Sequence, residues 1–273
     1  IIIGTGGHAH SCIDVLESQK KYAISGLVEQ NTTGKKSVLG YPILGTDNDL
    51  ESLRETFHNA VIAIGQIKNH EPRKLAYEKL KKLDFDLPTI ISPRAHISSH
   101  SQIGEGTIVM HNVIINANTS IGYNCIINNK VLIEHDVKVG NHCHISTSAV
   151  INGEVIVKNK SFIGSNATVK QSIVVAEESV VGAGVFVKNN TDKPMTARAG
   201  PSVAPSNANE YLKKLECFCF EEQFLAPGEE ALLPVRFIFD SNMPESINNV
   251  ALSYTIFDIT NYNDMEMAHH DGR

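Results

Sequence analysis

From Ile97 to Val187 every sixth residue is isoleucine or valine, sixteen positions in succession without an exception. A helix repeats near 3.6 residues and a half-buried strand repeats at two, so a period of six fits neither. It fits short parallel strands joined by tight turns and stacked as a solenoid. The fifth place of each hexad is small or β-branched, as in Thr107, Val113, Thr119, Cys125, Val131, Val137, Cys143 and Ala149. Glycine follows the aliphatic residue at Gly104, Gly122, Gly140, Gly164 and Gly182. The repeat assigns residues 93–192 to a parallel β-helix domain.

Three hexads make one coil, so residues eighteen apart stack. This turns the repeat into a map. His135 falls between Ala117 and Gly153, two small neighbours, and Asp136 joins a polar column with Asn118 and Glu154. His144 falls between Ile126 and Phe162. A general base needs a pKa near neutrality and a partner that fixes its tautomer. An imidazole starts at about 6.5, and a carboxylate on its far nitrogen both orients the ring and favours the cation. His135 with Asp136, or with Glu134, meets that requirement. A solvated surface histidine is the bland alternative. His96, His100, His111 and His142 fit no common site and are read as surface residues. A metal-dependent coil would need histidines in register, and none lies eighteen residues from His135 or His144.

Residues 1–92 read as a small α/β domain with a Rossmann-like βαβ pattern. Ile1–Ile3 is a strand already under way, which suggests that no initiator segment is present. Gly4-Thr5-Gly6-Gly7-His8-Ala9 then turns into a helix carrying Ile13, Val15 and Leu16. Such a turn brings backbone N–H groups and a helix N-terminus towards a phosphate or another anion. A second strand, Ala23 to Val28, ends at Glu29, the distance at which a nucleotide-binding unit places its ribose-binding acid. A helix is expected from Thr46 or Asp47, and a third strand over Ala60 to Ile64, ending at Gly65. Asn69 and Pro72 introduce a further helix with Leu75, Leu80 and Leu83 on one face. A turn without ligand is the bland reading of the glycines. Hydride transfer is disfavoured, since no substrate domain of that type follows.

Composition narrows the classes further. A net charge of −6 gives no reason to expect a nucleic-acid partner. No apolar run reaches the roughly 18 residues that span a bilayer, and no signal peptide is visible. Cys12, Cys125 and Cys143 are spaced as small core residues.

Residues 1 to about 188 resemble the sugar O- and N-acetyltransferases of the sialic-acid and bacillosamine type. The matching stretches are GTGGH, AIGQIKN, IEHDVKVGNHCHIS and FIGSNATVKQSIVVAEESVVGAGVFVKN. The resemblance implies a left-handed β-helix, acetyl-CoA as acyl donor and a nucleotide-linked amino sugar or sialic acid as acceptor. It implies a homotrimer with coenzyme A in the groove between neighbouring coils, in the cytoplasm. In EHD-x7-H it makes His135 the base and Asp136 its partner, and it places His144 at the thioester. A backbone N–H or His144 would then stabilise the oxyanion. Ser146, Gly164 and Gly182 become contacts for the pantetheine arm. His8 faces the acceptor sugar, in a subsite with Gly6, Gly7, Glu29 and Gly65. A non-catalytic hexapeptide scaffold is the competing reading.

Beyond Asn189 the hexads stop. Pro194, Pro201 and Pro205 suggest a linker or irregular strands, and period-two alternation over Leu232 to Phe239 and Val250 to Phe257 suggests antiparallel strands around a Pro227-Gly228 turn. Residues from about Asn189 to Thr260 resemble the copper-delivery assembly factor of cytochrome c oxidase, through CFCFEEQ, LxPGE and LSYT in order. That family has an immunoglobulin-like β-sandwich, of which residues 193–260 would supply a part. It binds Cu(I) through its C-F-C cysteines, which here are Cys217 and Cys219. Two residues apart on a strand, they would share a face, and paired thiolates suit Cu(I). A metal-free pair is the alternative. Acetyl-CoA and the copper factor belong on opposite sides of a membrane, so the chain reads as a chimera joined between Lys188 and Pro201. Residues 261–273, with His269 and His270, are expected to lack regular structure.

Overall fold

A computed structural model describes the chain except residues 31–33, 35, 68, 183–184, 190, 218, 220, 234, 241, 245–246, 248–249 and 261–273; several strand side chains beyond residue 184 are likewise not described. The chain divides into two compact units, Ile1–Ala183 and Gly184–Arg273.

The first unit begins with a five-stranded sheet in the order Ser37–Val38, Tyr41–Thr46, Leu27–Glu29, Ile2–Ile3, Val61–Ile62. Ile2–Ile3 pairs in parallel with both of its neighbours, as a βαβ crossover requires. Three helices accompany the sheet: α1 (Gly7–Gln19), α2 (Leu50–Thr56) and α3 (Glu71–Lys82). The turn before α2 is a capping box, in which Thr46 and Asp49 satisfy each other's backbone and side-chain groups. The second strand is shorter than the alternation suggested, and the antiparallel pair Ser37–Val38 with Tyr41–Thr46 had no clear signal in its Gly-Tyr-Pro surroundings. On α3 the buried face carries Arg73, Tyr77 and Leu80, while Leu75 is 56 % exposed. Leu75 thus lies off the buried face, which Arg73, Tyr77 and Leu80 define instead.

The hexads form the expected left-handed parallel β-helix, with two-residue strands from Ile90–Ile91 to Val180–Val181. Its three faces are sheets of five, five and six strands. Register follows the eighteen-residue rule, as in Ile115 opposite Ile97 and Ile133, and Ile145 opposite Ile127 and Ile163. The aliphatic column points inward, and each buried Ile or Val contributes about 1.5–3 kcal/mol. One turn residue per hexad is left-handed, from Asn112 (φ 58°) through Asp136 (φ 62°) to Glu178 (φ 58°). The sixteenth aliphatic position, Val187, leaves the coil: Val185–Lys188 pairs antiparallel with Glu230–Leu233. α1 packs on the six-stranded face, where Ala9, Cys12, Ile13 and Leu16 meet Ile90, Ile108, Met110 and Ile126.

The second unit consists of small antiparallel sheets. Met195–Ala204 is a ten-residue strand, the second of the two alternatives, linker or irregular strands, that the prolines left open. Pro201 fits because only one neighbouring strand, Ala251–Asp258, pairs at that position, so its missing N–H lies on an edge. The expected turn lies at Gly228 (φ 74°), and Val235–Phe239 pairs with Leu212–Cys217. The buried Asn189 ties this unit together locally, its side-chain N–H groups donating to the carbonyls of Lys193 and Leu225.

Candidate active site

His135 and Asp136 occupy a turn between two faces of the coil. His135 Nδ1 lies 2.7 Å from Asp136 Oδ2. Asp136 also accepts from the side-chain amide of Asn118, one coil earlier, at its other oxygen. Glu134, the alternative partner, is taken up by Asn116, whose amide donates to it at 2.9 Å. The His135 side chain is 54 % exposed. Its ring lies across Gly153: a Cβ there would sit 2.8 Å from Cε1 and 2.9 Å from Nε2. The hydrogen bond that His135 donates to Asp136 raises the His135 pKa; desolvation opposes it, and the charges of Asp136, Glu134 and Glu154 add to the rise. Asn118 and His135 together hold Asp136 below the usual carboxylate range. With the Nδ1 proton committed to Asp136, Nε2 carries a lone pair at the surface. A groove of about 670 Å³ adjoins the pair, lined by Asn118, Asp136, Lys138 and Glu154 among others.

The glycine turn forms a second site. Gly6, Gly7, His8 and Gly65 line a cleft of about 600 Å³, joined by Gln30, Asp47 and Ile67. Glu29 is not part of this lining; it is buried at the strand end, and the adjacent Gln30 reaches the cleft instead. Gly4 adopts φ 110°, and a Cβ there would meet the Ala63 carbonyl oxygen at 3.1 Å, so the turn needs glycine. No side chain caps α1, whose first turn opens towards the cleft. His8 Nε2 is buried without a hydrogen-bond partner. Burial, then the positive charge of Arg73, pushes the His8 pKa down to about 3, so the ring is neutral.

Between the cleft and the coil runs a polar seam with no clear sequence signal. Arg73 is fully buried and donates to the carbonyls of Ile62, Ile64, Asn124 and Gly106. His142, expected at the surface, is 6 % exposed: Asn124 lies 2.8 Å from its Nδ1, and the rings of Tyr77 and Tyr123 meet it edge-on. His111 is likewise drawn inward, between Ser92 at 2.6 Å and Asp14 of α1 at 2.8 Å. Both histidines are enclosed for one reason: the α/β domain covers that side of the coil. His96 and His100 are exposed, as expected.

His144 is 5 % exposed, packed edge-on against Phe162, with Nδ1 on the Gln66 carbonyl. Burial holds its pKa down to about 4, with Gln66 opposing and Arg73 adding to the shift. Ser146, Gly164 and Gly182 form one column after the strands of this face, by the register Ile145–Ile163–Val181. Nothing stands within 4 Å of a Cβ placed on Gly182, whereas Ser146 at the other end of the column is buried.

In the second unit, Cys217 ends its strand and Cys219 lies beyond it, in a 3-10 turn, so the two do not share one strand face as expected. Cys219 is disulfide-bonded, and the Cys217 side chain lies outside the described residues. Cys12, Cys125 and Cys143 are buried free thiols. No cluster of three or more metal-ligating side chains occurs among the described residues.

Comparison with known proteins matches two different families to the two ends of the chain, the second match beginning within the coil. Residues 1–80 match the PglD N-terminal domain, and residues 146–258 match the cytochrome c oxidase assembly protein CtaG/Cox11 family. The acetyltransferase domain of PglB from Neisseria gonorrhoeae superposes with a TM-score of 0.61 at 29 % identity, over 67 % of this chain and 87 % of that one. The same domain is known in complex with acetyl coenzyme A, at 28 % identity. A perosamine N-acetyltransferase mutant from Caulobacter crescentus, bound to CoA and GDP-perosamine, gives 0.50 at 29 % identity, over 67 % and 90 %. In the C-terminal part, CtaG of Paracoccus denitrificans is 45 % identical over 71 residues, 24 % of this chain and 37 % of CtaG. The chain thus spans little more than a third of the curated relatives it matches there.

Proposed function

We propose that the first unit is an acetyl-CoA-dependent acetyltransferase acting on an amino or hydroxyl group of a nucleotide-linked amino sugar or sialic acid. The observation that carries this is the His135–Asp136 pair, exposed, oriented by Asn118 and given room by Gly153. The likeness to sugar acetyltransferases agrees with it.

Acetyl-CoA supplies an activated acyl group as a thioester. His135 Nε2 accepts the proton of the acceptor's amine or hydroxyl as that atom attacks the thioester carbonyl. Asp136 holds the ring and stabilises the imidazolium that forms. The proton then passes to the departing thiol, returning His135 to its neutral form. The glycine-turn cleft, with uncapped α1 and neutral His8, suits the acceptor's anionic and hydroxyl groups. Ser146, Gly164 and Gly182 suit the pantetheine arm. A homotrimer would place that arm between coils; the exposed Ile156 and Val174, adjacent in register, give the outer face an apolar stripe for such contact. A cytoplasmic setting follows from the acetyl-CoA requirement. No helix among the described residues is long and apolar enough to cross a membrane.

Thiol release from acetyl-CoA with a panel of amino sugars tests the proposal. Activity that survives His135→Ala would remove the base assignment, and no release with any sugar would leave the scaffold reading. N- and O-acetylation separate by the alkali lability of an ester product.

A second reading concerns the second unit, and its support is the C-F-C sequence within residues 146–258, the stretch that matches the CtaG/Cox11 family. Cys217 and Cys219, once reduced, would take Cu(I) as cargo; the disulfide at Cys219 has no thiolate to offer.

A further inference from the structure

The two ring nitrogens of His144 are fixed by independent neighbours. Nδ1 faces the main-chain carbonyl of Gln66, which can only accept, so Nδ1 carries the proton. Nε2 faces the side-chain nitrogen of Asn128 at 3.5 Å. The orientation of that amide is itself determined, because Asn128 Oδ1 accepts from the Asn129 backbone N–H at 2.8 Å. Its NH₂ group therefore points at His144, and Nε2 must be the unprotonated nitrogen. Both observations select one tautomer.

Gln66 is 2 % exposed and sits beside Gly65 of the glycine-turn cleft. Its side-chain NH₂ donates to the His142 carbonyl at 2.8 Å, which pins the loop to the coil two residues before His144. The same residue thus uses its side chain to anchor itself and its main chain to orient the imidazole.

We propose that Gln66 is a positioning residue that locks His144 as the neutral Nδ1–H tautomer, so that His144 Nε2 accepts a hydrogen bond from an N–H group of a substrate rather than donating to the oxyanion. This rests on the acetyltransferase reading for the identity of the substrates. It removes His144 from the oxyanion role and leaves that role to a backbone N–H. An N–H donor could come from the pantetheine amides of the acyl donor or from the acceptor's amine. At 3.5 Å the Asn128 contact is long, so a better-aligned donor can displace it.

Nitrogen NMR of the full chain with ¹⁵N-labelled histidine tests this, with His144→Gln used to assign the signal. The expected result at pH 7 is a protonated Nδ1 and a bare Nε2. Coenzyme A should shift the Nε2 resonance if pantetheine is the donor; the amino-sugar nucleotide should do so if the amine is. A protonated Nε2, or an Nε2 resonance that neither substrate moves, would overturn the proposal. Gln66→Ala should admit the second tautomer and lower kcat several-fold to about tenfold, the scale of one hydrogen bond. An unchanged tautomer and kcat in that variant would remove Gln66 from the role. The tautomer is read without turnover, so its failure is separable from an absence of acetyltransferase activity in the wild type.

Discussion

The side-chain amide of Asn118 donates to Asp136 across one coil of the helix, so the carboxylate that orients His135 is itself held from the coil below. Sequence separation of eighteen becomes direct contact, and the base is the last member of a chain of three residues.

The most direct consequence is kinetic. His135→Ala should lower kcat/KM by about 10²–10⁴, the usual contribution of a positioned general base, with an unchanged melting temperature. Asn118→Ala should cost less, about tenfold, because Asp136 remains but loses one of its two anchors. Steady-state thiol release with thermal melts checks both.

A pH profile tests Asp136. The base works when neutral, and Asp136 raises its pKa above the ordinary 6.5, so the acid limb of kcat/KM should lie above that value. In Asp136→Asn the limb should move to lower pH while the plateau falls, since the ring loses its tautomer. A limb that stays in place would detach the carboxylate from His135.

Gly153→Ala isolates geometry from chemistry. The Gly153 backbone lies outside the left-handed region, so alanine suits it, but its Cβ would lie 2.8 Å from His135 Cε1. The ring must move, and a displacement of about 1 Å can cost 10²-fold. A folded protein with kcat reduced about 10–100-fold is expected. Wild-type kinetics would show that the ring does not need this space.

Stability of the first unit should fall on mild acidification. His8, His142 and His144 are held neutral, with pKa values pushed down to about 3, about 4 and about 4. In the unfolded chain each binds a proton near 6.5. Unfolding therefore takes up protons between these limits, so the stabilisation is full above about 6.5 and is lost as pH falls towards about 4. Melting temperatures at pH 7, 5.5 and 4.5 should descend, and the slope should flatten in His142→Gln. Equal melting temperatures across that range would contradict the burial of neutral rings.

For the second unit, reduced protein should retain one Cu(I) per chain through gel filtration, and Cys217→Ser should lose it. Retention by the serine variant would place the copper elsewhere.

Much of the first unit was legible because its register is arithmetic. Counting by eighteens places His135 beside Gly153 and Asp136 beside Asn118, and the structure shows both contacts. The same count could not show that the α/β domain folds back on one face of the coil. That contact is non-periodic and joins residues such as Arg73 and Asn124, 51 apart. Hence His111 and His142 read as surface, Leu75 read as core, and Gln66 had no role. In the second unit Pro201 left linker and strand undecided, because a proline signals a break unless the open side of the strand is known.

The left-handed residue in each hexad also makes the coil a ruler with coarse graduations. Left-handed positions recur at Lys130, Asp136, His142 and Ser148, each six residues after the last. One inserted residue upstream of Asp136 would put a different side chain into every later left-handed turn and turn the aliphatic column outwards. Insertions of a whole coil preserve the pattern but change which residues stack on His135. Length variation should therefore be tolerated after Gly182, where the coil ends, and excluded between Asn118 and Gly153, where one coil on either side composes the base.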